Sequence, residues 1–175
     1  MYSSTQDPYR TQPTGRDAKL AGYAPLSGKS KPPKLTRRDR RDLLEQLSGF
    51  PVFAGCSQDD LEALIKVSEA CSLPAGWAMI AQGTPADFCY IILRGSAGIY
   101  RGNERIAELG AGVLVGEMAV LSGDLRTATV TTMTRVSTLA VANSVMDQLL
   151  RKRPTLNQAV RRQALERTAA PAAEA

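Results

Sequence analysis

The chain has 175 residues, of which 43% are hydrophobic and 22% are charged, values that predict one globular domain with a core and tails. It contains no run of 18 apolar residues, no secretory signal and no histidine, which argues against a membrane span, export and a hydrolase with a histidine base. The net charge of +5 is uneven, because residues 1–41 carry +7 and residues 42–175 carry −2.

The start of the chain, residues 1–35, is predicted to be a disordered basic arm. Residues 1–34 contain five prolines and few large apolar side chains that could form a core. Two interpretations remain open for the arm: a solvated tail, or an anchor for an acidic partner, nucleic acid or an anionic membrane.

A helical lead-in is predicted over residues 36–70. Two residue pairs have the three-residue spacing of a capping box and indicate two helix starts: Thr36 with Asp39, and Ser57 with Asp60. Apolar residues at helical spacing follow each start: Leu43, Leu44 and Leu47, then Leu61, Leu64 and Ile65.

Residues 71–142 have the pattern of short strands broken by turns. Gly102-Asn103 lies between two apolar runs, which indicates a hairpin, and the Val- and Thr-rich stretch 128–142 indicates one or two strands. Helical spacing returns over residues 144–168, where Pro154 separates two helices, and residues 169–175 are predicted to be a disordered tail. The sequence therefore predicts a mainly β fold with flanking helices (α+β), a barrel or jelly roll.

The cysteines are three in number, far apart, and accompanied by no histidine. Their spacing predicts free thiols that pack as small apolar residues, and it predicts neither a disulfide nor a metal site. Reduced thiols favour a cytoplasmic protein. The three residues are Cys56, Cys71 and Cys89.

The stretch of residues 116–132, GEMAVLSGDLRTATVTT, contains the candidate ligand-binding groups. Gly116 permits close approach of the backbone to a ligand, and the N–H groups of a short helical turn over Glu117, Met118 and Ala119 are suited to one anion. Arg126 offers a bidentate contact to a phosphate, and Thr127 adds a hydroxyl.

Glu117 would repel a phosphate unless the ligand also offers a hydroxyl donor, as a ribose 2′-OH does. An acid for ribose and an arginine for phosphate together describe a nucleotide site. The alternative is that Glu117 and Arg126 form an ion pair that only stabilises a loop. In both interpretations, the two charges are expected to neutralise each other when no ligand is bound.

The same stretch resembles the phosphate-binding cassette of cyclic nucleotide-binding domains, as in the catabolite activator protein and the regulatory subunit of cAMP-dependent protein kinase. The resemblance extends over about residues 40–168, and the strands before the cassette match the family's glycine frame at Gly76, Ile80, Gly83, Asp87, Tyr90, Ile92 and Gly95. It implies a β-roll domain over residues 36–168.

The resemblance also implies roles for single residues. Glu117 would accept a hydrogen bond from the ribose, Gly116 and Ala119 would donate backbone N–H groups, and Arg126 would bind the cyclic phosphate. Thr127 is compatible with adenine or guanine, so cAMP is expected and cGMP is possible. A residue near Arg161, Arg162 or Leu165 would cap the base.

The resemblance further implies a cytoplasmic cAMP sensor that is not an enzyme and acts through an unknown protein partner, with a possible homodimer through the last helix. No specific DNA binding is expected, because the chain ends about ten residues after Leu165. Two alternatives stay open: an interaction module with this fold that binds no nucleotide, and an adaptor that works through its basic arm.

Overall fold

The computed structural model describes residues 35–169 of the chain. The predictions about residues 1–34 and 170–175 lie outside that range. At its two ends the structure differs by one residue from the predicted boundaries. Leu35, which was assigned to the arm, packs against the helical part of the core, and Ala169, which was assigned to the tail, ends the last helix.

Two capped helices open the described range: α1 (Arg37–Ser48) and α2 (Gln58–Val67), with a short 3-10 helix (Pro51–Phe53) between them. Both predicted capping boxes form. The cap residue of each box accepts a hydrogen bond from the backbone of an aspartate three residues on, whose carboxylate accepts one in return. Local sequence therefore determines where both helices begin.

Eight strands within the described range form two four-stranded antiparallel sheets. They are β1 (Glu69–Leu73), β2 (Ala78–Ile80), β3 (Phe88–Arg94), β4 (Ala97–Arg101), β5 (Glu104–Leu109), β6 (Leu114–Val115), β7 (Thr129–Thr132) and β8 (Val136–Ala142). The strand order is β1-β8-β3-β6 in the first sheet and β2-β7-β4-β5 in the second. The α+β jelly-roll prediction is confirmed.

Three details of the strand prediction are settled by the pairing. The hairpin at Gly102-Asn103 joins β4 to β5, and residues 128–142 form two strands. β1 begins at Glu69, two residues before the predicted change of period, because Glu69 and Ala70 already pair with β8.

Strand β3 divides the core into two layers. Its residues Cys89, Ile91 and Leu93 pack with the helices, whereas Tyr90 and Ile92 pack between the sheets. Successive side chains of a strand point to opposite faces. Because both faces of β3 are covered, its sequence is an almost continuous apolar run.

The cysteines are free thiols, as predicted. Burial raises the pKa of the Cys89 thiol to about 12 and that of the Cys71 thiol to about 11. Both thiols therefore stay protonated near neutral pH, where they are poor nucleophiles.

Three helices complete the described range: α3 (Glu117–Ser122), α4 (Asn143–Lys152) and α5 (Pro154–Ala169). Gln163 of α5 fixes this last helix to the edge strand β6, because its amide accepts from the Leu114 N–H (3.0 Å) and donates to the Leu114 carbonyl (2.7 Å). None of the helices within residues 35–169 combines the length and apolar character that crossing a membrane requires.

The turn between β3 and β4 requires glycine at position 95. Gly95 has φ of +89°, and a Cβ there would collide with the Arg135 carbonyl oxygen and lie 2.8 Å from Thr134 Oγ1. We expect Gly95→Ala to lower the free energy of unfolding by about 3 kcal/mol, the sum of a left-handed backbone and an overpacked contact.

Gly83→Ala is the matched control, because Gly83 also has a positive φ (+77°) but has open space around a built Cβ. It should cost only about 1 kcal/mol. Urea unfolding measures both variants. Equal losses would contradict the contribution assigned to the Arg135 contact.

Candidate functional site

A cavity of about 520 Å³ lies between the second sheet and helices α3 and α5. Its volume is in the range of small-molecule sites. Predicted site residues line it: Gly116, Glu117, Met118, Arg126 and Thr127. Ala119 lies in α3. Apolar side chains from the strands form much of the remaining wall: Ile80, Ile99, Ile106, Val115 and Val130.

Arg126 is buried, with 7% of its surface exposed, and backbone groups hold it on both sides. Its own N–H donates to the Thr84 carbonyl (3.0 Å), and its carbonyl accepts from the Gly83 N–H (2.8 Å). The guanidinium donates from Nη1 to the Gly116 carbonyl (3.0 Å) and from Nη2 to the Phe88 carbonyl. Burial lowers the pKa of Arg126, yet an arginine side chain remains charged at neutral pH.

Gly116 makes room for this guanidinium. It has φ of +88°, and a Cβ at this position would lie 2.5 Å from Arg126 Nη1 and 3.1 Å from Ile80 Cδ1. The glycine also turns the chain from β6 into α3, whose first N–H groups have no partners within the helix. A guanidinium and the N–H groups of a helix start beside one cavity are suited to an anion.

Glu117 is 1% exposed at the first position of α3, and its carboxylate pairs with Arg167 of α5. Arg167 Nη1 donates to both carboxylate oxygens, at 2.8 and 3.1 Å. The ion pair of Glu117 is therefore with Arg167, whereas Arg126 is held by carbonyls. The charges of Glu117 and Arg126 still attract each other within the site. Arg167 contacts the carboxylate of Glu117 because α5 packs beside α3.

Sequence reasoning did not single out Arg167. It lies 50 residues from Glu117, and several arginines occur in the same helix, so no local spacing distinguishes it. Long-range ion pairs of this kind depend on how the last helix docks.

The structure places two of the three candidate base-capping residues at the cavity and the third elsewhere. Arg161 and Leu165 line the cavity from α5, and Leu165 is 69% exposed. Arg162 is on another side of the helix, where its Nη2 donates to the Val52 carbonyl (3.2 Å) of the 3-10 helix. Arg162 therefore does not line the cavity in this arrangement.

Met118 and Thr127 lie at the mouth of the cavity, where both side chains are exposed. Together the lining residues offer a fixed cation and N–H donors for an anion, a buried carboxylate for a hydroxyl, and an apolar wall for a flat ring. A ligand with all three groups in one small molecule matches the arrangement.

Known proteins share this domain. Residues 70–153 match the model of the cyclic nucleotide-binding domain family. A cyclic nucleotide-gated potassium channel of Mesorhizobium japonicum is 32% identical over 126 residues, which cover 72% of this chain and 35% of the channel. A CRP-like cAMP-activated global transcriptional regulator of Mycobacterium tuberculosis is 27% identical over 119 residues, covering 65% of this chain and 53% of the regulator.

Solved structures share the fold. The regulatory subunit of a cAMP-independent protein kinase A from Trypanosoma brucei superimposes with a TM-score of 0.65 at 22% identity, over 73% of this chain and 48% of the other. Residues 70–153 thus form a domain of the cyclic nucleotide-binding family, as the cassette predicted. The chain spans about a third of the channel and about half of the regulator.

Proposed function

We propose that this chain is a receptor for a cyclic nucleotide, with cAMP as the expected ligand and cGMP as the alternative. It binds without catalysis and without a metal ion. The observation that carries the proposal is a buried guanidinium and a buried carboxylate on one cavity, Arg126 at 7% and Glu117 at 1% exposure. Buried charges are rare unless they are paired or used, and at a cavity they indicate a binding site.

Arg126 is assigned to the cyclic phosphate. Two of its five N–H donors are held by carbonyls, so the guanidinium is oriented before the ligand arrives and keeps donors for the phosphate oxygens. Gly116 and the first N–H groups of α3, from Glu117 to Ala119, add uncharged donors around the same anion.

Glu117 is assigned to the ribose 2′-OH, and the apolar wall of the cavity to the base. Thr127 at the mouth offers a hydroxyl that suits either purine, so the cavity itself does not exclude guanine. The Ala- and Arg-rich composition is typical of bacterial proteins and favours cAMP.

Ligand binding is proposed to change the arrangement of helices α4 and α5. A cytoplasmic protein partner would recognise this change, or the change would alter a homodimer formed through α5. Four lining residues of the cavity belong to α5, which supports this helix as the moving part: Arg161, Ala164, Leu165 and Arg167. A ligand shifts such an equilibrium only by its preference for one state, and about 1.4 kcal/mol of preference gives a tenfold shift.

Calorimetric titration of the full chain with cAMP, cGMP and 5′-AMP tests the proposal. We expect binding of cAMP, weaker binding of cGMP, and little binding of 5′-AMP, whose phosphate does not close a ring. Light scattering with and without cAMP then tests the homodimer. Absence of binding by both cyclic nucleotides would overturn the proposal and favour an interaction module without a nucleotide.

The basic arm supports a second, separate activity. Residues 1–41 hold ten Lys or Arg against three Asp or Glu, a charge that attracts DNA or anionic lipid. Comparing the full chain with a chain lacking residues 1–34, for binding to duplex DNA and to phosphatidylserine vesicles at rising salt, separates these partners. Equal weak binding by both chains would show that the arm has no such role.

A further inference from the structure

A second cavity, of about 590 Å³, is lined by other residues than the candidate nucleotide site. Three segments form it: the first half of α1, helix α2 and the junction between α4 and α5. Its charged lining residues are five cations, Arg37, Arg40, Arg41, Lys66 and Arg153, and two carboxylates, Asp59 and Glu62. Five cations against two carboxylates give this lining a net positive charge, although residues 42–175 as a whole are slightly acidic.

The arginines of this cavity lie at the end of α1 where a helix disfavours cations. The N-terminus of a helix carries a partial positive charge, so basic residues are stabilising in the last turn and unfavourable in the first. Helix α1 has the reverse arrangement, with Arg37 and Arg40 near its start and no basic residue in its last turn. Within residues 35–169, neither arginine makes an ion pair, and nor does Lys66. Charges that break a local rule of stability without compensation are typical of functional sites.

Arg153 is held at the second cavity by a buried carboxylate. Its Nη1 donates to Oδ1 of Asp60 (3.4 Å), and the other oxygen of Asp60 accepts from the Ser57 N–H (3.2 Å) at the start of α2. Asp60 is 6% exposed, whereas the Arg153 side chain is 37% exposed. Among the described residues this contact uses one of the five N–H donors of the guanidinium, so Arg153 is oriented and keeps donors for a ligand.

We propose that the second cavity binds an oligophosphate, a small anion with two or more neighbouring phosphate groups. Arginine presents a planar fork of donors that matches two phosphate oxygens, and four of the five lining cations are arginines. The net positive charge attracts an oligophosphate more strongly than a single phosphate, since the attraction rises with the charge of the ligand. This inference is independent of the proposed function, because the two cavities are lined by different residues.

Two other occupants fit the second cavity less well. The basic arm would add repulsion, because residues 1–34 hold six Lys or Arg against two Asp or Glu. Nucleic acid finds no aromatic side chain among the lining residues on which a base could stack. A continuous phosphate backbone would also have to pass Asp59 and Glu62, whereas a short anion is small enough to contact the cations alone.

Arg40→Gln and Lys66→Gln are the test variants, because each removes a lining cation that has no ion pair within residues 35–169. Arg38→Gln is the matched control: it removes the same charge from the start of α1, but Arg38 pairs with Asp42 (3.9 Å) and does not line the cavity. Calorimetric titration of the full chain uses inorganic tripolyphosphate, with orthophosphate as the single-phosphate comparison. Thermal unfolding without ligand checks that each variant folds.

The natural chain is expected to bind tripolyphosphate at least about tenfold more tightly than orthophosphate. Each test variant should weaken tripolyphosphate binding about fivefold or more, whereas Arg38→Gln should change it less than about twofold. Equal losses in all three variants would show attraction by overall charge alone and would overturn the inference. Absence of tripolyphosphate binding by the natural chain would also overturn it, while leaving the proposed function untouched.

A second comparison separates a free oligophosphate from a phosphorylated lipid headgroup. The natural chain and Arg40→Gln are tested with inositol trisphosphate in solution and with phosphatidylcholine vesicles that contain phosphatidylinositol bisphosphate. Binding in solution that Arg40→Gln weakens supports a free ligand, and such binding to the vesicles alone supports the headgroup. Weaker binding of duplex DNA by Arg40→Gln, with unchanged tripolyphosphate binding, would overturn the inference and indicate nucleic acid instead.

Discussion

Arg126→Ala is expected to weaken cAMP binding by a factor of at least about a hundred. The guanidinium would make two charge-assisted hydrogen bonds to the phosphate, each contributing about 1.5–3 kcal/mol, and alanine removes both. The loss should be largely independent of the base, since cAMP and cGMP share the cyclic phosphate. Calorimetric titration of the variant with both nucleotides measures it.

Removal of Arg126 also changes the protein without nucleotide. The carbonyls of Gly116 and Phe88 lose a donor, so the free energy of unfolding should fall by about 1–3 kcal/mol in urea titrations. Arg135→Ala is the control, because Arg135 is exposed and does not line the cavity. Unchanged cAMP affinity in a folded Arg126→Ala variant would disprove the assignment of the phosphate site.

Glu117→Gln is expected to have its largest effect on helix α5. The substitution leaves the Arg167 guanidinium, 22% exposed, without its counter-charge, and an unpaired cation at that depth costs about 2–3 kcal/mol. The end of α5 should loosen, which hydrogen exchange of its last turn would detect. Affinity for cAMP should fall about tenfold, because a neutral amide is a weaker acceptor than a carboxylate.

A double variant separates the unpaired charge from the lost contact. Glu117→Gln combined with Arg167→Met removes both charges, so its free energy of unfolding should recover part of the loss seen in Glu117→Gln alone. Recovery in urea unfolding, without recovery of cAMP binding, is the expected pattern. A double variant less stable than the sum of its single substitutions would contradict the pairing of these two residues.

Prediction from sequence succeeded where the signal is local. The capping boxes at Thr36 and Ser57 depend on residues three positions apart, and the hairpin depends on the two residues Gly102-Asn103. The cassette was visible because Gly116, Glu117 and Arg126 fall within eleven consecutive residues. Their assignment to one cavity followed from the family frame, and the structure brings all three to the cavity wall.

Prediction failed where two distant segments meet. Arg162 seemed as suitable for the cavity as Arg161, yet it faces the 3-10 helix, because the rotation of α5 is decided by the burial of Leu156 and Val160. An ion pair between Glu117 and Arg126 was the alternative interpretation, because the two are near in sequence. Proximity in sequence does not decide ion pairs once a third charge is packed against the carboxylate.

The sequence by itself determined the local elements of this protein: helix starts, the hairpin, the order of helices and strands, and a glycine, an acid and an arginine on one short stretch. These features depend on interactions within a few residues. Only the tertiary structure decided that Arg167 binds Glu117 and that Gln163 binds Leu114, across 50 and 49 residues. The physical reason is that both contacts exist only after the apolar face of α5 has packed on the core, and that packing depends on the whole chain.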